Sequence, residues 1–289
     1  MQANLIAPLL NLCAFSAISV CRCGITLFLL PGDESMQRFD GRRVIVTGSG
    51  SGFGEATAKR FADEGARVVV TDVNEEAMRR VSEEIRASGG ICETVACNVA
   101  EESQVEAMVQ VAVDSFGGVD VLVNNAGYSH HQRLLWKISV EEFDAVFAVN
   151  VRGVFLGCKH VIPHMIEGGG GVIVNIASIG AVAPRPGVTP YNGTKGAVLT
   201  MTKGLAMEVA RNNIRVNAVN PVAADTGFMK GAMGVDSLDD EATERLVATI
   251  PRGRLAQPAD IAAAVTYLAS EDADFLTGTS INVDGGRSV

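Results

Sequence analysis

The chain has 289 residues, 47% apolar and 20% charged, with a formal net charge of −9. That balance supplies a sizeable core and speaks against disorder, and the acidic charge speaks against a nucleic-acid binder, whose affinity rests on basic side chains. The six cysteines, Cys13, Cys21, Cys23, Cys92, Cys97 and Cys158, include no C-x-x-C pair, so they read as buried free thiols rather than a disulfide framework or a zinc site.

From Met1 to Cys21 there is no charged residue, and up to Leu30 only Arg22. This length of apolar chain could span a bilayer, but it lacks the basic start of a secretory signal. Membrane anchor, export signal and an upstream extension outside the working protein are the three readings, and the third is adopted. Residues 1–35 are then an extension and residues 36–289 a single domain opening at Met36, with a membrane role only if residues 1–30 are kept as an anchor.

After Met36, short β-branched runs alternate with helical patterns. Arg43–Thr47 is a strand, followed by TGSGSGFG (residues 47–54) and a helix over Gly54–Glu64. The six-residue G-x-G-x-x-G pattern fails here, with Phe53 or Glu55 at the last position. Even so, small residues between a strand and a helix start let the backbone approach a diphosphate, which the helix dipole favours. Arg67–Asp72 is the second strand, ending 18 residues after Gly54. A carboxylate there can accept hydrogen bonds from both hydroxyls of an adenine ribose and repels a 2′-phosphate. No Lys or Arg lies within TGSGSGFG and Val73 follows Asp72, so NAD is expected and NADP disfavoured. The other reading of Asp72 is a solvated strand-end carboxylate.

Further elements follow in order: a helix over Glu75–Ser88, a weaker strand over Ile91–Cys97, a helix over Glu102–Phe116, a strand over Val119–Val123 and a long helix over Val140–Glu167. His160 and His164 on that helix have metal-ligand spacing, but no glutamate follows the first histidine, so they read as structural and no metal site is assigned. Gly171–Ala177 is a strand, Tyr191–Arg211 a helix, Ile214–Val219 a weaker strand, Pro258–Ala269 a helix and Ser280–Val283 a closing strand. Apolar runs of this kind belong to parallel strands covered on both faces. The fold class is therefore α/β: a single doubly wound parallel sheet of about seven strands with helices on both faces, of Rossmann type.

Tyr191 and Lys195, four apart, share a helix face. A free tyrosine titrates near pH ~10, and a neighbouring ammonium lowers that value. Ser178 lies at a strand end 13 residues before Tyr191, where its hydroxyl could face the same pocket. Taken alone, Tyr-x-x-x-Lys also fits a core tyrosine beside a surface lysine.

Together, these motifs resemble the short-chain dehydrogenase/reductase family over Gln37 to Val289. Thr47, Gly48, Gly52 and Gly54 match its phosphate loop, and Asn124-Asn125-Ala126-Gly127 its N-N-A-G. Asn150, Ser178, Tyr191 and Lys195 match its catalytic positions, and Arg215-Val216-Asn217 and Val283-Asp284-Gly285-Gly286 match later strands. The resemblance implies that Tyr191 acts as general acid in reduction and general base in oxidation. Lys195 lowers its pKa and holds the nicotinamide ribose, Ser178 hydrogen-bonds the substrate oxygen, and Asn150 supports a water linking the lysine to solvent. Implied cofactor contacts are Gly48, Ser51, Gly52, Phe53, Gly54, Asp72, Val73, Asn98, Val99, Asn125, Ala126, Gly127, Tyr191, Lys195, Pro221, Val222, Ala224 and Thr226.

The expected function is an NAD-dependent oxidoreductase interconverting a small-molecule secondary alcohol and a ketone. The alternatives are a 3-oxoacyl thioester (acyl carrier protein) reductase and a non-catalytic dinucleotide sensor. The resemblance also implies a homotetramer formed through the long fourth and fifth helices, and cysteine scatter with dinucleotide use points to the cytoplasm. Asn98, Phe53 and Val222 depart from the family pattern. Val222 stands where glycine is usual and resists positive φ, so the Val222–Gly234 loop is expected to run differently. For the substrate, Tyr128, His130, His131 and Trp136 are candidate contacts or a partly exposed loop. Ala181, Val182 and Pro184 suggest an apolar wall. Arg185 meets an acidic substrate or faces water, and Asp236–Glu241 reads as the solvated face of a mobile lid.

Overall fold

In the computed structural model, which describes residues 37–224 and 240–289, seven strands pair in parallel in the order β3-β2-β1-β4-β5-β6-β7. They are β1 Arg43–Thr47, β2 Arg67–Asp72, β3 Ile91–Ala96, β4 Val121–Asn124, β5 Gly171–Ile176, β6 Ile214–Pro221 and β7 Ser280–Val283. Along each inner strand the side chains alternate between two helix layers, as the two-residue period of a strand requires. Val44, Val46, Val68 and Val70 join Phe61, Val81, Ile261 and Leu268 in one buried cluster. Ile45, Val69 and Leu122 join Met108, Val161, Met165 and Val198 in the other. Both faces being covered, the strands read as continuous apolar runs.

The first layer comprises α1 (Gly52–Asp63), α2 (Glu75–Ala87) and α8 (Pro258–Ala269). The second comprises α3 (Glu102–Phe116), α5 (Gly153–Glu167) and α6 (Thr189–Val209). The helix expected over Val140–Glu167 is continuous but not uniform: α4 (Val140–Phe147) passes through a π-turn at Ala148–Arg152 into α5. By length and composition it could cross a bilayer, yet Val154, Leu156, Val161 and Met165 spend its apolar face on the core. A further helix, α7 (Asp240–Val247), buries none of its residues and was not anticipated.

The remaining differences are at boundaries. β4 begins at Val121 rather than Val119 because Asp120 is committed to Arg43, whose Nη2 and Nε donate to its two carboxylate oxygens at 2.7 and 2.8 Å. α1 begins two residues early, inside the glycine loop, and α6 begins at Thr189 with Pro190 in its first turn, a position that needs no amide proton. β6 runs on to Pro221, which pairs with Val283. The sheet order reverses between β1 and β4, and the crevice outside the strand ends at such a switch point is where doubly wound sheets bind ligands.

Candidate active site

The loop after β1 is held from beneath. Thr47 Oγ1 accepts from the N–H groups of Asn125 and Ala126, both at 3.0 Å, and Asn125 Nδ2 donates to the carbonyls of Thr47 and Gly48 at 2.8 and 3.0 Å. Gly48 has φ +64°, a conformation that favours glycine. A Cβ on Gly54 would lie 2.1 Å from the carbonyl oxygen of Gly48, so only glycine lets the helix start pack under the loop. Asp72, at the end of β2, accepts from Gly50 N–H and Asn74 N–H, each at 2.9 Å. Each carboxylate oxygen retains a lone pair for further donors. Asn124 does not face the crevice. It donates to Asn175 at 2.9 Å, which donates to Thr202 at 2.9 Å, tying β4 and β5 to α6.

A cavity of about 450 Å³ lies over these strand ends, within the size range of cofactor and ligand sites. Of the expected cofactor contacts, Gly48, Ser51, Gly52, Phe53, Asp72, Val73, Asn98, Val99, Asn125, Ala126, Gly127, Tyr191, Lys195, Pro221, Val222 and Ala224 line it. Gly54 is absent from the lining because it is buried under Gly48, and Thr226 lies outside the described residues. From β2, bearing Asp72, to β5, which leads to Ser178, there are three strand spacings, about 14 Å in all. The cavity is therefore long enough for an extended ligand with a diphosphate at its middle, beside the N-terminus of α1.

At the β5 side, Ser178, Tyr191 and Lys195 line the same cavity. Lys195 is 3% exposed, and its Nζ donates to the Ile176 carbonyl at 2.7 Å. Burial lowers its pKa from 10.5 to about 8. The Nζ stands 5.8 Å from the centroid of the Tyr191 ring. Burial pushes the Tyr191 phenol above its ordinary value, opposed by a hydrogen bond with Ser178 and by the charge of Arg185. The net direction is upward, where Lys195 was expected to bring the value down. The ammonium faces the ring and is committed to a carbonyl, so the opposing influences at the hydroxyl are Ser178 and Arg185.

Asn150 stands outside the cavity lining. It is fully buried in the π-turn behind the cavity wall, where its amide bonds both backbone groups of Tyr128 at 2.8 Å and Thr194 Oγ1 at 3.0 Å. Its side chain braces the N-N-A-G segment and α6. A Cβ on Gly127 would lie 3.5 Å from Asn150 Oδ1 and 3.7 Å from Lys195 Nζ, so Asn150 is a near neighbour of the lysine rather than part of the wall.

Val222 keeps a negative φ, since Asn213 is the one non-glycine residue with positive φ among the described residues. Its N–H donates to the Val283 carbonyl at 3.1 Å. Residues 225–239, with the rest of that loop and most of the acidic run, lie outside the described residues. Of the substrate candidates, Tyr128 and Arg185 line the cavity. His130 is buried with Nδ1 on the His131 carbonyl at 2.8 Å, and Trp136 is exposed. Sequence reasoning missed Arg287, Asn192, Ile179 and Ala183 on the wall. Asn192 had a signal, adjacency to Tyr191; Arg287 had none, because a tail contact leaves no local pattern.

A family model described as enoyl-(acyl carrier protein) reductase matches residues 48–288. The 4-formylbenzenesulfonate dehydrogenase of Comamonas testosteroni is 43% identical over 245 residues, 85% of this chain and 97% of that protein. The 3-oxoacyl-[acyl-carrier-protein] reductase of Thermotoga maritima is 38% identical over 249 residues, 86% of this chain and 98% of that protein. Among solved structures, the 3-ketoacyl-(acyl-carrier-protein) reductase from Brucella melitensis complexed with NADH superposes with a TM-score of 0.81 at 43% identity. That match covers 87% of this chain and all of the other.

Proposed function

The chain belongs to the short-chain dehydrogenase/reductase family, and from that premise we propose that it is an NAD-dependent oxidoreductase interconverting a secondary alcohol and a ketone. The observation that carries the reading is one cavity lined by Ser178, Tyr191 and Lys195 together with the Asp72 carboxylate. Bound NAD would supply the hydride acceptor, and NADH the donor, in the two directions. Asp72 would take the adenine ribose hydroxyls and repel a 2′-phosphate, and the N-terminus of α1 would favour the diphosphate.

Tyr191 Oη takes the hydroxyl proton in oxidation and returns one to the carbonyl oxygen in reduction. Ser178 Oγ holds that oxygen and stabilises its developing charge. Arg185 favours the phenolate state that Tyr191 passes through, against the burial that opposes it. Lys195, neutralised more readily than an exposed lysine, would hold the nicotinamide ribose.

The second reading, reduction of a 3-oxoacyl thioester, is supported by the likeness to the Thermotoga and Brucella reductases, the latter seen with NADH. For assembly we favour a homotetramer. Phe143, on α4, stacks on Phe147 and stays partly exposed, as does Phe155 on α5, while Met207 on α6 is open. For localisation we favour the cytoplasm, on the buried free thiols of Cys92, Cys97 and Cys158.

Turnover measured by NADH absorbance, with secondary alcohols and with a 3-oxoacyl thioester, separates the two substrate readings. Tyr191→Phe is expected to lower kcat by about 10²–10⁴-fold while leaving NADH affinity near that of the unaltered chain. Near-normal turnover in that variant would end the mechanism.

A further inference from the structure

The cavity holds two arginines, of which the reaction as described uses Arg185 only through its charge at Tyr191 and Arg287 not at all. Arg185 and Arg287 both line it, and the charge of Arg287 acts on Arg185. Arg185 is pushed below the ordinary guanidinium value by burial and by the charge of Arg287, with Tyr191 alone opposing. Of the other arginines drawn into the structure, Arg38 and Arg43 carry the carboxylates of Glu64 and Asp120, and Arg215 donates to the carbonyls of Leu268 and Ser270 at 2.7 and 2.9 Å. Neither cavity arginine has an ion-pair partner among the described residues.

Both are held in place by their backbones. Asn192, next to Tyr191, donates through Nδ2 to the Arg185 carbonyl at 2.9 Å, which fixes the segment after Ser178 against α6. Arg287 sits on a turn organised by Asp284. The Asp284 carboxylate is taken by Gly286 N–H and Ser288 N–H, each at 2.9 Å, and by the Ser288 hydroxyl at 2.6 Å. The acidic group nearest in sequence is thus turned toward backbone donors rather than toward the guanidinium. Gathering two like charges in one half-buried cavity is unfavourable unless an anion joins them. A guanidinium is also the side chain best shaped to bind carboxylate or sulfonate oxygens.

We propose that Arg185 and Arg287 form an anion subsite, selecting alcohols and ketones that carry a carboxylate or sulfonate over neutral ones. This rests on the alcohol–ketone reading and names its substrate class. The oxyanion would be gripped at the Arg185–Arg287 side of the cavity while the carbinol meets Ser178 and Tyr191, with Ile179 and Ala183 on the intervening wall.

The test uses the full chain and two independent readouts. In the first, benzenesulfonate and benzoate are titrated into the enzyme–NADH complex and followed by nicotinamide fluorescence, so that binding is read without turnover. Binding is expected, and Arg287→Ala should weaken it by about 10–100-fold, as expected for loss of hydrogen bonds to a charged group. Arg287→Lys should restore part of it, and NADH affinity should stay within about twofold in both. Arg287 is the third residue from the end of the chain, and thermal melts verify that each variant is folded.

In the second readout, 4-(1-hydroxyethyl)benzoate is compared with 1-phenylethanol, and 3-hydroxybutyrate with 2-butanol. The anionic member of at least one pair should be preferred in kcat/KM by about tenfold or more, with that ratio collapsing in Arg287→Ala and Arg185→Ala. The subsite is overturned by absence of anion binding, by a parallel loss of NADH affinity, or by an anionic-to-neutral ratio near one in the unaltered chain. Anions that bind and respond to Arg287→Ala, with no alcohol oxidised, would instead sink the alcohol–ketone reading and leave the subsite standing.

Discussion

Replacing Lys195 by methionine sets stability against activity, with both signs fixed by burial. The ammonium is 3% exposed, and burial alone takes its pKa from 10.5 to about 8. That displacement makes protonation about 3 kcal/mol less favourable in the folded chain than in the unfolded one. Because the folded value is the lower, the penalty is fully present below about pH 8, shrinks as pH rises toward 10.5, and is gone above it. Methionine removes the charge at similar length but loses the bond to the Ile176 carbonyl, a cost of about 1–3 kcal/mol. At pH 7 the variant should therefore be between equal to the unaltered chain and about 2 kcal/mol more stable. The carbonyl cost does not depend on pH, so the comparison between pH values isolates the charge. From pH 7 to pH 9 the stability difference should move by about 1 kcal/mol in favour of the unaltered chain. Urea unfolding of both chains, without cofactor, measures this directly, and turnover in the variant should fall at least ~100-fold. A difference that stays constant from pH 7 to pH 9 would refute the argument that burial governs this lysine.

Three further predictions rest on separate parts of the molecule. Asp72→Ser should reduce the preference for NAD over NADP by about 10–100-fold in kcat/KM, since it removes both the ribose acceptor and the repulsion of a 2′-phosphate; an unchanged ratio would remove Asp72 from cofactor selection. Gly54→Ala places a Cβ 2.1 Å from a backbone oxygen, so it should cost about 3 kcal/mol or more, and a melting temperature within a few degrees of the unaltered chain would contradict the packing described. Asp120→Asn breaks the bidentate pair with Arg43, and at pH 7 should cost about 2 kcal/mol after allowance for partial exposure. Although burial opposes it, Arg43 holds the Asp120 carboxyl below its ordinary 3.8, so this contribution is present above about pH 4 and lost as pH falls through the folded value. The variant should accordingly lose less stability than the unaltered chain between pH 5 and pH 3, as read by chemical denaturation.

The strands were legible in the sequence for a physical reason: in a parallel sheet covered on both faces every position is apolar, and runs such as Val44-Ile45-Val46 carry no ambiguity about which side is buried. The glycine loop was equally legible, because Gly48 and Gly54 answer local steric demands that no other residue meets. The π-turn at Ala148–Arg152 was not, since the apolar pattern passes through it unbroken. Nor was α7, whose eight residues include none that is fully buried and whose short apolar stripe is only half-covered, Leu246 packing on the core. Tyr191 marks the boundary between the two kinds of knowledge. Four-residue spacing established that its ring and the Lys195 ammonium share a helix face, and the structure has them 5.8 Å apart. The same spacing could not say that the ammonium would be turned to the Ile176 carbonyl, nor that Arg185 would supply the charge that opposes burial at the phenol. Those facts depend on which groups lose water, and water is lost through contacts between segments far apart in the chain. The tail residue Arg287 is the extreme case: its effect on Arg185 exists only because the strand it follows closes the sheet beside β6. Helix spacing therefore specifies which catalytic groups can meet, while the charge state each holds, and with it the substrate the cavity accepts, is set by the tertiary surroundings.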